Sequence, residues 1–179
     1  MPGVEIQIRD ESGNVLEPSS AGEVCVRGPN IMKGYYNNIE ATREAFWPGR
    51  WFRSGDVGVL DDNGYLFIVD RLKDMIITGG ENVYSLEVEE VLYTHPNVQE
   101  CAVIGTPDKE WGERVTAFIL PKPGRTIDEG GLKDFLKARL SVYKVPKRFF
   151  VVDDFPRSPA GKLLKRKLRQ SFIKDDDAT

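Results

Sequence analysis

The chain has no long apolar run, little cysteine and little net charge, and each shortage removes a class of protein. No stretch of about 18 apolar residues occurs, which excludes a membrane-spanning helix. The two cysteines, Cys25 and Cys101, lie inside apolar strand-like runs and lack metal-ligand spacing. They are expected as buried free thiols in a reducing compartment, not as a disulfide, and no metal site is expected. The opening Met1-Pro2-Gly3-Val4-Glu5 lacks the basic region followed by an apolar one that marks a signal peptide, so the expected location is cytoplasmic. No internal repeat is evident. The 40% hydrophobic and 30% charged residues describe a soluble globular protein, and 179 residues hold one ordinary domain, or a small domain and part of another.

The net charge of −3 is unevenly spread. From Arg139 to Lys174 there are eleven basic and two acidic side chains, an excess of nine positive charges, so the remainder carries −12. Such an asymmetry suits an anionic ligand, although basic helices are often simply solvated faces. The segment has neither interleaved surface aromatics nor a recognisable module for nucleic acid, so no nucleic-acid partner is expected.

Val4 to Arg9, Gly22 to Arg27 and Gly64 to Val69 alternate apolar and polar side chains, as half-buried strands do. Asp61-Asp62-Asn63-Gly64 has the chemistry of a hairpin turn, and Ile39 to Phe46 reads as a short helix ended by Pro48-Gly49. After Asp74 strands and helices alternate. Met75 to Thr78 is a predicted strand, and Ser85 is the predicted cap of a helix running to about Thr94, where His95-Pro96 stops it. Val98 to Gly105, Arg114 to Pro121 and Arg148 to Val152 read as strands. Leu132, Phe135, Leu136 and Leu140 recur at helical spacing, and Leu163 to about Phe172 is a last basic helix. The composition changes near Asp70 to Asp74, from mostly β to mixed α and β. The first seventy residues or so would leave sheet edges unpaired and look like the tail of a larger domain.

Four short segments carry chemistry. In Arg53-Ser54-Gly55-Asp56 the glycine allows a sharp turn, and Asp56 can present two acceptor oxygens from a loop to adjacent sugar hydroxyls; equally, it can cap the turn. In Asp70-Arg71-Leu72-Lys73-Asp74 the planar fork of Arg71 suits ribose and phosphate oxygens, or an exposed ion pair with Asp70 or Asp74. Gly79-Gly80, after a short apolar strand, removes side chains so that backbone can approach a thin ligand, or makes an ordinary strand-to-helix turn. Lys162 closes Ser158-Pro159-Ala160-Gly161-Lys162, where one ammonium on a loop can neutralise charge developing between a carboxylate and a phosphate, or count among many cations before a basic helix.

Taken in order, Trp51 to Asp56, Asp70 to Val83 and Pro156 to Lys162 resemble the late motifs of adenylate-forming (AMP-binding) enzymes, in the acyl-CoA synthetase branch. The resemblance spans essentially the whole chain. It implies an α/β (α+β) fold in which residues 1–72 are the β-rich end of a large N-terminal AMP-binding domain and residues 73–179 a C-terminal mobile domain. It makes Asp56 and Arg71 nucleotide-binding, Lys73 the hinge, and Lys162 the catalytic lysine of adenylation. Gly79 and Gly80 become the lining of the pantetheine tunnel. Trp111 matches an aromatic near the pantetheine arm, Tyr143 one that stacks on the CoA adenine, and Lys144 and Lys147 fall where phosphates are met; Trp111 and Tyr143 equally suit a core or a turn. The implied reaction converts a carboxylic acid, ATP and CoA to acyl-CoA, AMP and pyrophosphate, with Mg2+ accompanying ATP and fatty acids as the leading substrate class. The Ser/Thr/Gly-rich phosphate loop and the aromatic-Gly-x-Thr-Glu motif of such enzymes do not occur here, so a C-terminal fragment unable to adenylate alone is expected. Two other functions fit the same residues: a non-catalytic CoA- or nucleotide-binding module, and an adenylation domain that loads a carrier protein.

Overall fold

Two sheets organise the polypeptide, one in each of two units, Met1–Lys73 and Asp74–Thr179. The structure is a computed structural model and describes residues 3–176; Met1 and Pro2, part of the opening read for a leader, lie outside them. The fold is mixed α/β, with few helices.

In the first unit β1 (Glu5–Arg9) pairs antiparallel with β2 (Gly22–Arg27), Glu5 opposite Arg27 and Arg9 opposite Glu23. There follow α1 (Ile39–Glu44), the two-residue β3 (Phe46–Trp47), β4 (Trp51–Leu60) and β5 (Leu66–Arg71). β4 is central: β2 runs along one edge, and β3 and β5 share the other. Ile8, Val24, Cys25, Trp51 and Val57 are buried, and the guanidinium groups of Arg27 and Arg9 lie 4.5 and 5.2 Å from the Trp51 ring. Asn38 caps α1 by accepting from the Ala41 N–H at 2.9 Å. The helix stops at Glu44, short of the expected Phe46, because Phe46 and Trp47 pair with Phe52 and Trp51. The Asp61 to Gly64 turn forms as expected: the Asp61 carboxylate accepts from the N–H groups of Asn63 and Tyr65, and Gly64 takes φ +79°. β5 then begins at Leu66 rather than Gly64.

The second unit begins with β6 (Ile76–Thr78) and β7 (Glu81–Val83), then α2 (Ser85–Tyr93), β8 (Val98–Asp108), β9 (Gly112–Pro121), α3 (Glu129–Lys137), β10 (Arg148–Val151) and α4 (Lys165–Asp176). β9 pairs antiparallel with β8 along one edge; on the other it meets β10 in parallel and touches β6 at Thr78 and Gly112. Cys101 and Val103 of β8 face a cluster with Val88 and Leu92 of α2 and Leu132 and Leu136 of α3. The alternate residues Ala102 and Ile104 face Phe118, Phe155 and Leu168 of α4. Both faces of β8 are covered, which is why Cys101 to Ile104 reads as an unbroken apolar run.

Two helix starts differ from expectation. Tyr84, not Ser85, is the residue before α2, and it makes no side-chain cap. Ser85 is the first helical residue, and its hydroxyl accepts from the Lys165 ammonium at 2.8 Å. The same ammonium lies 2.7 Å from the buried Glu89 carboxylate, which also accepts from the Val103 N–H at 2.7 Å. α4 starts at Lys165 because Leu163 bridges back to Arg157. Gly130 and Gly131 sit inside the first turn of α3, where Asp128 compensates by accepting from the Gly131 N–H at 2.8 Å. Both cysteines are buried and free; burial pushes the Cys25 thiol up to about 11 and raises that of Cys101 further.

His95, after α2, packs edge-on against Phe135 at 4.9 Å, and its Nδ1 accepts from the Asn97 N–H at 3.3 Å. Burial, then the nearby charges of Arg139 and Lys122, lower its pKa from 6.5. The unfolded chain therefore takes up this proton at higher pH than the folded one, and stability falls as pH is lowered through the unfolded value. NMR of the single imidazole should show a midpoint below that of a histidine peptide. A urea series should give a higher midpoint at about pH 7.5 than at about pH 5.5, with the difference reduced in His95→Gln. A midpoint at or above the peptide value contradicts the assignment.

Candidate active site

Asp56 lies within β4 and not on a loop, as the motif had suggested. Between Arg53, opposite Cys25, and Val57, opposite Glu23, three residues of β4 span the place of one on β2. The strand bulges there, with Gly55 at φ +74°. The Ser54 hydroxyl accepts from the Asp56 N–H at 3.1 Å, and the half-exposed Asp56 carboxylate turns toward its cross-strand partner Arg71. The two side chains are 3.8 Å apart and well exposed, so the pair is loose. Arg71 thus pairs with neither acidic neighbour: the buried Asp70 accepts its backbone N–H at 2.7 Å, and Asp74 binds Arg169 at 3.1 Å. The result is a donor fork beside a two-oxygen acceptor at one edge of the sheet. Lys73, exposed, is the last residue of the first unit and lies in a short 3₁₀ segment, Leu72–Asp74.

In the second unit Gly79 and Gly80 form the two-residue turn of the β6–β7 hairpin, with φ +59° and +84°. Glycine is suited to both places because a hairpin with positive φ at each central residue follows the twist of its strands. Of the two readings of this pair, the strand-to-helix turn is not what forms: the glycines close a hairpin, and Glu81 and Asn82 are strand residues. Trp111 lies against it. The Gly79 N–H donates to the Trp111 carbonyl at 2.9 Å, and a Cβ on Gly79 would stand 2.4 Å from the indole ring. The Lys147 ammonium lies 4.3 Å from the centre of the same ring. Gly79, Trp111 and Lys147, predicted separately, are thus one cluster, while the Gly80 side is open.

Tyr143 is 40% exposed, with the Lys144 ammonium 5.7 Å from its ring. Lys144 is not an unpaired cation: both Glu87 carboxylate oxygens lie 2.7 Å from it. Burial opposes its charge, but Glu87 outweighs the burial and raises its pKa above that of an ordinary lysine.

Two carboxylates that position this cluster were not singled out from sequence. Asp108 closes the turn before Trp111, accepting from the N–H groups of Glu110 and Trp111 at 2.9 and 3.0 Å and from Arg114 at 2.7 Å. The Trp111 N–H, then Arg114, hold its pKa down at about 2. The turn signal Asp108-Lys109-Glu110 is legible in the sequence. Glu113 accepts from the Ile77 N–H at 2.8 Å, tying the glycine hairpin to β9, and that tie is tertiary.

Lys162 is exposed on the turn from Ser158, closed by the Ser158 N–H to the Lys162 carbonyl and the Gly161 N–H to the Ser158 carbonyl, each 2.8 Å. Arg157 fastens the turn to Glu100 on β8. Glu100 opposes Leu120 at one end of the β8–β9 ladder; Asp108 opposes Gly112, beside Trp111 and Gly79, at the other. Eight residues of strand separate the ends, roughly 25 Å at about 3.3 Å per residue. Lys162 and the glycine turn are thus tied to opposite ends of one ladder. Among the described residues, no group of three or more His, Cys, Asp or Glu is placed to hold a metal ion, and no helix is long and apolar enough to cross a membrane.

Residues 87–162 match the family model described as AMP-binding enzyme C-terminal domain, and residues 1–36 that described as AMP-binding enzyme. Oxalate–CoA ligase of Arabidopsis thaliana is 43% identical over 171 residues, 96% of this chain and 33% of the relative. Feruloyl-CoA synthase of an Amycolatopsis species is 48% identical over 168 residues, 94% of this chain and 34% of the relative. The crystal structure of ATP-bound MatB from Rhodopseudomonas palustris superposes with a TM-score of 0.91 at 40% identity, covering 96% of this chain and 34% of that one. The chain spans about a third of the length of the curated relatives it matches.

Proposed function

Since the chain belongs to the AMP-binding, adenylate-forming enzyme family, and to its C-terminal portion, we propose that it serves an ATP-dependent acid–CoA ligase in the cytoplasm. Residues 1–72 complete the N-terminal nucleotide-binding domain, and residues 73–179 swing about Lys73. Asp56 accepts from the ribose hydroxyls, and Arg71, freed from its loose pair, meets ribose or phosphate oxygens. In the adenylating pose Lys162 offsets negative charge between the carboxylate and the α-phosphate; Mg2+ accompanying ATP, held mainly by the rest of the N-terminal domain, would supply further charge neutralisation at the phosphates. In the second pose the Gly79-Gly80 turn admits the pantetheine arm. Trp111 packs on that arm, Tyr143 on the adenine, and Lys147 meets a phosphate, with Lys144 helping only if Glu87 yields it.

The observation that carries this reading is the separation of Lys162 from the glycine turn by the length of the β8–β9 ladder. Neither can replace the other at a nucleotide without a large rotation, which a two-step reaction with alternating poses requires. The substrate is a carboxylic acid; fatty acids belong in its test panel beside the oxalate and feruloyl groups of the relatives' names.

The isolated 179-residue chain should give no ATP–pyrophosphate exchange with oxalic, ferulic or fatty acids, because it has no phosphate loop. Joined in place of the corresponding part of the Arabidopsis oxalate–CoA ligase, it should restore acyl-CoA formation. Exchange by the isolated chain, or a folded chimaera that adenylates but delivers the acyl group only to a carrier protein, overturns the assignment.

A further inference from the structure

The sequence motif singles out Lys162, and the structure shows what holds its turn. Its turn is exposed, its closing hydrogen bonds are internal, and nothing stands within 4 Å of where a Gly161 Cβ would lie. Such a turn frays easily, and a lysine on a frayed turn samples many positions besides the productive one. Downstream the chain is secured at Leu163, which bridges to Arg157 and packs beside Phe155, and at Lys165 by Ser85 and Glu89; upstream Phe155 is buried. Between these anchors Arg157 has two grips. One nitrogen of its guanidinium donates to the Glu100 carboxylate of β8, and the other donates to the Gly161 carbonyl at 3.2 Å. Among the described residues, no other side chain from outside the turn bonds its tip. The fork is suited to this because two N–H groups in a fixed plane bind two acceptors at once, which a lysine cannot do.

We infer that Arg157, braced by Glu100, is a positioning residue that sets the Lys162 ammonium for adenylation and has no part in thioester formation. This rests on the role proposed above for Lys162. The Arg157–Glu100 pair ties the turn to the strand end away from the glycine hairpin, so it acts on one half-reaction.

The test uses the chimaera with Arg157→Gln, Arg157→Lys and Glu100→Gln. Pyrophosphate exchange should fall about 10- to 100-fold in kcat in the glutamine variants, with KM for ATP little changed, and Arg157→Lys should lie between. CoA transfer from supplied acyl-adenylate should stay within about threefold, and Arg157→Gln should add nothing to Lys162→Ala. In the 179-residue chain, amide exchange at Gly161 and Lys162 should quicken about tenfold in both glutamine variants, with β8 and β9 amides unchanged. Unchanged amides at the turn, or equal losses in both half-reactions, overturn the inference. If Lys162→Ala leaves pyrophosphate exchange intact, the proposed role of Lys162 fails instead, whatever Arg157 does.

Discussion

Lys162→Ala should lower the adenylation rate of the chimaera by about 10²- to 10³-fold while leaving CoA transfer from supplied acyl-adenylate within about threefold. Removing a single charge aimed at a developing anion usually has an effect of that size, because the group contributes more in the transition state than in the ground state. The substitution is also clean. Lys162 is exposed, and what it gives the turn comes from its backbone: its carbonyl accepts from the Ser158 N–H, and its N–H donates to the Ser158 hydroxyl at 3.2 Å. Alanine keeps both. Stability should therefore move by no more than about 0.5 kcal/mol in urea. Lys162→Arg keeps the charge but spreads it over a broader fork, and should recover only part of the rate. An equal fall in both half-reactions would mean that the ammonium does not act at one pose alone, and the two-pose reading would go with it.

Much of this was legible in the sequence, and the failures share a cause. The apolar run Cys101 to Ile104 announced β8, but its extension to Asp108 comes from pairing with Gly112 to Val115 of β9, a tertiary match that Gly105-Thr106-Pro107-Asp108 does not advertise. β4 escaped notice because Arg53-Ser54-Gly55-Asp56 has turn residues, and a bulge carries the strand past them. β7 escaped because Glu81 and Asn82 have poor strand propensity and are held by the hairpin and its tie to β9. At the site, residue types pointed to Asp56, Arg71, the glycines and Lys162, since each has a chemistry of its own. Their supports did not show, because they reach across the chain: Glu87 to Lys144 and Glu100 to Arg157 each span 57 residues, and Glu113 to Ile77 spans 36. A carboxylate that holds a distant amide or cation has no local pattern to betray it.

The largest opposite effect is expected at the glycine turn. Gly79→Ala incurs two penalties: a side chain at φ +59°, and a Cβ 2.4 Å from the indole of Trp111. The left-handed backbone costs about 1–2 kcal/mol, and overpacking typically adds about 1–3. The ring cannot simply drift away with its backbone, because the Gly79 N–H is bonded to the Trp111 carbonyl. Either the ring rotates off the hairpin or the hairpin peels from β9. Gly80→Ala, at φ +84° with nothing within 4 Å of the Cβ, incurs the backbone penalty alone. In urea the 179-residue chain should lose about 2–4 kcal/mol with Gly79→Ala and about 1 with Gly80→Ala. With Trp111→Ala already present, Gly79→Ala should cost no more than Gly80→Ala does, which isolates the steric part. In the chimaera, Gly79→Ala should slow CoA transfer at least about tenfold while pyrophosphate exchange stays within about threefold, since Lys162 lies at the far end of the ladder. If Gly79→Ala is no worse than Gly80→Ala in the presence of Trp111, the indole does not rest on the turn. If it slows adenylation as much as transfer, the two ends of the ladder do not serve separate steps.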